Sequence, residues 1–272
     1  MADYEANEVG KVDGLGIIYQ VHAPLHKQIL ALNKKGVEHP SLVSPEETGL
    51  IRLAGLSNDW TRTSMAPIAV KGENQILYRV SPFMHPLMAE HAVKFHASGN
   101  YPTLNRVFYE IAKETAKAEL GLEPEDRTAH ILSNRGDYGL TPEMDDARFI
   151  LGRITKKYFE KFNHPSIPFR NLPTDDIPKD KCRVNYLWFD RPGGGSSLNA
   201  RDRGLGDVYG AFGVLRKSAE GASQSADYSL SNVRDAVLIA IPGTLEELGL
   251  LGVNDNVSGR LPSKVLEILR GQ

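Results

Sequence analysis

Residues 65–80 read MAPIAVKGENQILYRV. Two short runs rich in Ile, Leu, Val and Tyr, over 65–70 and 76–80, are separated by Gly72 and Asn74, which predicts two short strands and leaves their pairing open. Towards the amino terminus, Gly14 to Ala23 and Gly49 to Ser57 have the same character, so the first part of the chain is expected to be mostly β. The intervening stretch carries Pro24, Pro40, Pro45, Lys34 and Lys35. It reads as an insertion projecting at about 24–48, with a short helix over 27–33.

Towards the carboxyl terminus the period changes from two to 3.6. Met84, Leu87, Met88, Ala92 and Phe95 fall at helical spacing, and Leu104, Val107, Phe108, Ile111 and Ala112 repeat the pattern after a Gly-Asn-Tyr-Pro break at 99–102. A third helix is expected from Thr141 as N-cap, with Pro142 first, acids Glu143, Asp145 and Asp146 in the opening turn, and Lys156, Lys157 and Lys161 near the end. Beyond a 165–178 loop, Val184 to Phe189 reads as a strand and Arg191 to Gly206 as a glycine-rich loop. Tyr209 to Leu215 and Asp227 to Ile241 read as strands, and 244–250 and 263–269 as closing helices. With no repeat or linker visible, residues 1–272 are expected to form a single domain of mixed helices and strands.

With 41% apolar and 24% charged residues, the composition is that of an ordinary globular protein. The longest apolar runs, such as Ala236 to Ile241, are far short of a membrane span, and the acidic start is unlike an export signal. A single cysteine, Cys182, excludes an intrachain disulfide and a multi-cysteine metal centre; the cytoplasm is the expected compartment. A net charge of −2 argues against bulk attraction to phosphates, but the charge is unevenly placed. Residues 181–217 hold seven basic side chains against three aspartates, whereas 123–146 hold seven acids against two arginines, so a local basic surface is expected.

No constellation spells out a reaction or a metal site. His85, His91 and His96 are spaced six and five apart, not the three or four that places two ligands on one helix face. Pro24 separates His22 from His26. Ser196 and Ser197 lie outside a G-x-S-x-G elbow, and Cys182, although flanked by Lys181 and Arg183, has no identifiable partner histidine. The Arg135-Gly136-Asp137 triplet reads as a turn. No cofactor, metal or catalytic residue is therefore assigned. RPGGGSSLNARDRG, residues 191–204, is the most unusual stretch: three consecutive glycines flanked by arginines suit a backbone loop that receives phosphate, and either that or a plain surface loop fits. Tyr186, Trp188 and Phe189 near Arg183 and Arg191, Tyr209 near Arg203, and Trp60, Arg62, Lys71, Tyr78 and Arg79 in the first half offer base-stacking platforms beside cations, or core residues of strands.

The stretches NDWTRTSMAPIAVK (58–71) and QILYRVSPFMHPLMAEHA (75–92) resemble the early segment of CRISPR Cascade backbone subunits. That resemblance implies an α+β fold with a ferredoxin-like, RNA-recognition-type antiparallel sheet carrying helical insertions, and a non-catalytic protein that assembles along a guide RNA. It implicates Arg62, the loop before Met65, and His85, and the 193–203 loop is similar in character to a loop that grips the RNA backbone. The expected RNA-binding set is Arg62, Lys71, Arg79, His85, Arg191, Gly194, Arg201 and Arg203. Its partners would be the RNA, other subunits of the ribonucleoprotein and further copies of the chain, without a membrane. Two other functions remain open: an enzyme with a site assembled around His85, His91 and Asp190, and an oligomeric structural protein of viral or phage type.

Overall fold

A computed structural model of the chain describes residues 4–37, 41–57, 59–84, 89–90, 92–93, 103–191, 197–201, 205–206 and 208–216. All of these fall in one unit, Met1–Gly221; the other, Ala222–Gln272, lies outside the described residues, and with it the elements expected over 227–241, 244–250 and 263–269. Most of the helix expected from Met84 to Phe95 also lies outside them.

Thirteen strands among the described residues form two sheets. The large sheet runs β1 (Asn7–Val12), β2 (Gly16–Ala23), β13 (Tyr209–Leu215), β3 (Thr61–Arg62), β11 (Trp188–Phe189), β12 (Leu198–Asn199), β9 (Ile167–Arg170) and β8 (Tyr138–Leu140). The smaller has β6 (Thr103–Asn105), β10 (Lys181–Val184), β4 (Ala66–Ala69), β5 (Ile76–Tyr78) and β7 (Ala129–Ile131). The two strands read from residues 65–80 are present as β4 and β5, and they pair antiparallel, with Ala66 opposite Tyr78 and Ile68 opposite Ile76.

This arrangement corrects the ferredoxin-like expectation. That fold has one antiparallel sheet of four strands; here an eight-stranded mixed sheet, with β13–β3 and β12–β9 parallel, stands beside a five-stranded antiparallel one. The physical reason lies in long-range pairing. All seven residues of β13 pair with β2, and its other edge takes β3, so the second and last described strands are neighbours within one sheet.

Helices fill the gaps between these strands. The stretch expected to project instead packs inward: α1 (Leu25–Lys34) buries Leu25, Ile29 and Leu32 against β2, and Leu42 and Val43 are buried behind it. The strand expected over 49–57 is α2 (Pro45–Leu53). Ser44 Oγ accepts from Glu47 N, and Glu47 returns a carboxylate to the Ser44 N–H at 2.8 Å, a capping box that outweighs the β-like run Leu50-Ile51. The helix α3 (Val107–Ala118) follows β6 directly. The helix expected from Thr141 begins later, as α4 (Asp145–Leu151), after a turn in which Met144 N donates to Thr141 O, and it stops at Gly152. Gly152 has φ of 56°, and the Glu46 carboxylate occupies the space a Cβ would need; α5 (Thr155–Phe162) then restarts in a new direction.

Two larger apolar clusters among the described residues, beside a small one of Ala69, Leu172, Ile177 and Ala200, hold the unit together. Phe149, Ile150, Tyr158, Phe169, Leu187 and Phe189 pack with Met65 and Leu77, and Ile18, Phe212 and Val214 pack with Val43 and Ile51. Leu50 on α2 touches both, so one helix ties the two ends of the large sheet.

Candidate recognition site at one end of the large sheet

Strand direction brings four separated segments to one place. β3 runs parallel to β13, with Thr61 opposite Gly210, while β11 and β2 run antiparallel to their neighbours, with Phe189 opposite Thr61 and Ala23 opposite Tyr209. The residues entering β3 (Asp59, Trp60), entering β13 (Tyr209), leaving β11 (Asp190, Arg191) and leaving β2 (His22) therefore meet at the same sheet end. Gly210 permits the approach: a Cβ there would lie 2.7 Å from Trp60 O.

Asp59 is the centre of the cluster. Its Oδ1 accepts from Trp60 N at 2.8 Å and Arg191 Nε at 3.1 Å, and its Oδ2 from His22 Nε2 at 3.1 Å. Partial burial pushes its carboxyl pKa up, but these donors together outweigh burial and hold it below the ordinary aspartate range. The Arg191 guanidinium lies 5.1 Å from the centre of the Trp60 ring, within cation–π range. Trp60 meets the Tyr209 ring edge to face at 5.8 Å, and Tyr209 meets Trp188 at 5.1 Å. Deeper still, the Arg62 guanidinium lies 4.3 Å from Trp188 and 5.9 Å from Tyr186. A column of rings and two guanidiniums thus runs from the interior to an arginine that is 64% exposed.

Two buried arginines set this surface rigidly. Arg52 on α2, 2% exposed, donates to Asp190 O at 2.7 Å, Asp59 O at 2.6 Å and Phe189 O at 3.3 Å, and stacks on Phe189. It clamps the chain on both sides of the cluster. Arg62 donates to Gln28 Oε1 at 2.5 Å, and Gln28 Nε2 donates to Tyr209 O at 2.7 Å, which ties α1 to the same corner. At the base of the glycine-rich loop Asp190 N donates to Ser197 O at 2.9 Å, and Ser197 Oγ donates to the Asp190 carboxylate. Arg191 is the first residue past that closed neck.

The described members of the expected RNA-binding set, Arg62, Lys71, Arg79, Arg191 and Arg201, do not share one face. Arg62 is fully buried, so it cannot reach an RNA backbone; its charge is held by Gln28 and stacked aromatics. Arg79 donates to the carbonyls of Arg127, Pro124 and Glu125 and stacks on Phe149. Lys71 is exposed on the β4–β5 turn of the other sheet, and Arg201 donates to Asn171 O and the Asp137 carboxylate. Arg191 alone of the set enters the cluster; His85, Gly194 and Arg203, like His91, lie outside the described residues. Cys182 is buried, and burial pushes its thiol up to about 12 despite the basic neighbours in sequence. Asp137, in the Arg-Gly-Asp turn, accepts from Asn171 N at 3.0 Å as well as from Arg201. Among the described residues no group of His, Cys, Asp and Glu is placed to hold a metal, and no helix is long and apolar enough to cross a membrane.

A second polar cluster escaped sequence reasoning. Asp146, at the start of α4, accepts from His130 Nε2 at 2.7 Å, Tyr138 Oη at 2.5 Å, Ser133 N at 3.2 Å and Ser133 Oγ. Asp146, His130 and Ser133, with Arg127, Leu120 and Met144, line a cavity of about 340 Å³. A serine, a histidine and an aspartate in one cavity suggest nucleophilic catalysis, but the contacts do not. Ser133 donates to Asp146 rather than to His130, and the other imidazole nitrogen, Nδ1, faces the Arg127 guanidinium at 3.4 Å. Both ring nitrogens are engaged, so no base addresses the hydroxyl. The cluster is a joint between β7, β8 and α4, with the His130–Asp146 pair buried at its centre.

No family model and no curated protein matches the chain. Among solved structures, it is similar to a chain from work described as "Accommodation of massive sequence variation in Nanoarchaeota by the C-type lectin fold", at 14% identity and a TM-score of 0.48, covering 75% of this chain and 100% of that one.

Proposed function

We propose that this is a non-catalytic recognition protein that binds a polypeptide partner at the surface formed by His22, Asp59, Trp60 and Tyr209, with Arg191 resting on it in the free protein. The observation that carries this reading is the preorganised mix of half-exposed aromatics and balanced charge at one sheet end, fixed from behind by Arg52 and Arg62. Tryptophan, tyrosine and arginine are the residues most often found at the energetic centres of protein interfaces, and a rigid scaffold lowers the entropy lost on binding. A carboxylate beside the arginine suits a partner of mixed polarity better than a polyanion. The single buried thiol fits a cytoplasmic setting.

The test is selection of random displayed peptides on the folded protein, followed by titration of the winners against Trp60→Ala and Asp59→Asn. A loss of about tenfold or more in both variants is the expected result; binding that neither variant changes removes this surface from the proposal.

A second reading, contact with single-stranded RNA in a ribonucleoprotein assembly, draws on one observation, the Trp60 ring beside the exposed Arg191. Anisotropy of a labelled RNA at about 50 and 200 mM salt decides it. Salt-sensitive binding weakened by both Trp60→Ala and Arg191→Ala supports RNA, and its absence drops it.

A further inference from the structure

Resting on the recognition surface proposed above, the geometry points to what it recognises: we propose that Asp59, Trp60 and His22 form a receptor for an alkylguanidinium group, filled in the free protein by Arg191. An arginine side chain of the partner displaces it on binding.

The receptor is built without help from Arg191. Asp59 Oδ2 is held by His22, and Oδ1 by the Trp60 N–H. The Asp59 carbonyl is held by Arg52 and by Thr61 Oγ1 at 3.0 Å, and the Trp60 indole is braced by the edge of Tyr209. Each of these partners sits on α2 or at a strand end, so withdrawing Arg191 leaves the carboxylate and the ring where they are. Oδ1 then retains acceptor capacity beside an indole, the combination of point acceptor and π-face that a planar, always charged guanidinium satisfies at once.

Arg191 occupies this receptor as an occupant, not as part of its frame. Its side chain is the most exposed of the set, with contacts to Asp59 and Trp60, and it lies at the mouth of the loop rather than within a strand. An exposed ion pair and one cation–π contact give a hold that a competing ligand can overcome. The chain's own arginine thus acts as a tethered competitor, reducing apparent affinity by the fraction of molecules in which the receptor is filled. The same contact shields the indole until the partner arrives.

The experiment titrates N-acetyl-arginine amide, with N-acetyl-citrulline amide as the uncharged isostere, into the wild type, Arg191→Ala and the Arg191→Ala/Asp59→Asn double variant. The Trp60 indole N–H signal in ¹H–¹⁵N spectra, assigned with Trp60→Phe, reports binding. Arg191→Ala is expected to bind the arginine compound about tenfold more tightly than the wild type, to ignore the citrulline compound, and to lose binding when Asp59 is changed. Equal binding by wild type and Arg191→Ala, or equal response to both compounds, overturns the proposal. Arginine binding combined with peptide selections indifferent to Trp60 would sink the recognition surface and leave the guanidinium site standing. Peptides that need Trp60 while arginine is ignored would sink the guanidinium site alone.

Discussion

Two aspartates in this protein each accept a hydrogen bond from a histidine, and their surroundings make them opposite kinds of group. Asp146 is 2% exposed and its histidine 8%, whereas Asp59 is 35% exposed and its histidine 45%. At Asp146 burial pushes the carboxyl pKa up, and hydrogen bonds from His130, Ser133 and Tyr138 more than reverse it. At Asp59 the donors are one backbone amide, an exposed histidine and an exposed arginine. Water can replace the last two at Asp59, whereas the His130 contact at Asp146 is buried on both sides. The same pairing is therefore a structural joint in one place and a replaceable contact in the other.

The largest effect expected from breaking this comparison comes at the joint. Asp146→Ala leaves the buried His130 ring and the half-buried Tyr138 hydroxyl without their acceptor and should destabilise the fold by about 3–5 kcal/mol in urea unfolding. A loss below about 1 kcal/mol would mean that Asp146 is no joint. Arg52→Met comes next. It removes three donors from buried carbonyls at the base of the recognition site and should cost about 2–4 kcal/mol while broadening the Trp60 indole signal. Destabilisation without any change at Trp60 would show that Arg52 does not set the site.

Acid sharpens the contrast. A carboxyl whose folded pKa is depressed contributes stability that is fully present above its unfolded value near 4 and is lost as pH falls through the lower folded value. The stability gap between wild type and Asp146→Asn should hold from about pH 7 to 5 and shrink below about pH 4. A gap that instead widened in acid would reverse the sign assigned to Asp146. The smallest effect belongs to Asp59→Asn, at most about 1 kcal/mol at any pH because the pair is solvent-screened, so its consequences should appear in binding and not in unfolding.

Much of the local structure was legible. Strands β4 and β5 follow from the apolar runs on either side of Gly72, though not their pairing, and β2 and β13 match their expected bounds closely. Where the reading failed, a competing local signal was present: Ser44-Pro-Glu-Glu47 is a capping box with proline at the first helical position, and it makes Pro45–Leu53 a helix despite the apolar Leu50-Ile51. Of the site, Trp60, Tyr209 and Arg191 stood out as aromatics and a cation worth attention, but Arg62 looked the same and is buried. Asp59 and Arg52 gave no signal at all, because an aspartate before a tryptophan and an arginine in a helix are ordinary until their partners are known. The Ser133–His130–Asp146 cluster was equally silent, Asp146 lying 13 and 16 positions from Ser133 and His130 with no motif.

The amino-acid sequence by itself determined which segments turn, cap and alternate, and that one cysteine leaves no disulfide within the chain, since these depend on neighbours a few residues away. Only the tertiary structure decided which arginine is a surface group and which a buried clamp, and that Asp59 and Arg191, 132 positions apart, share an ion pair. The reason is the direction in which strands pair. β3 lies parallel to β13 and antiparallel to β11, and that choice, made by long-range burial rather than by local propensity, puts Asp59, Tyr209 and Arg191 at the same end of one sheet.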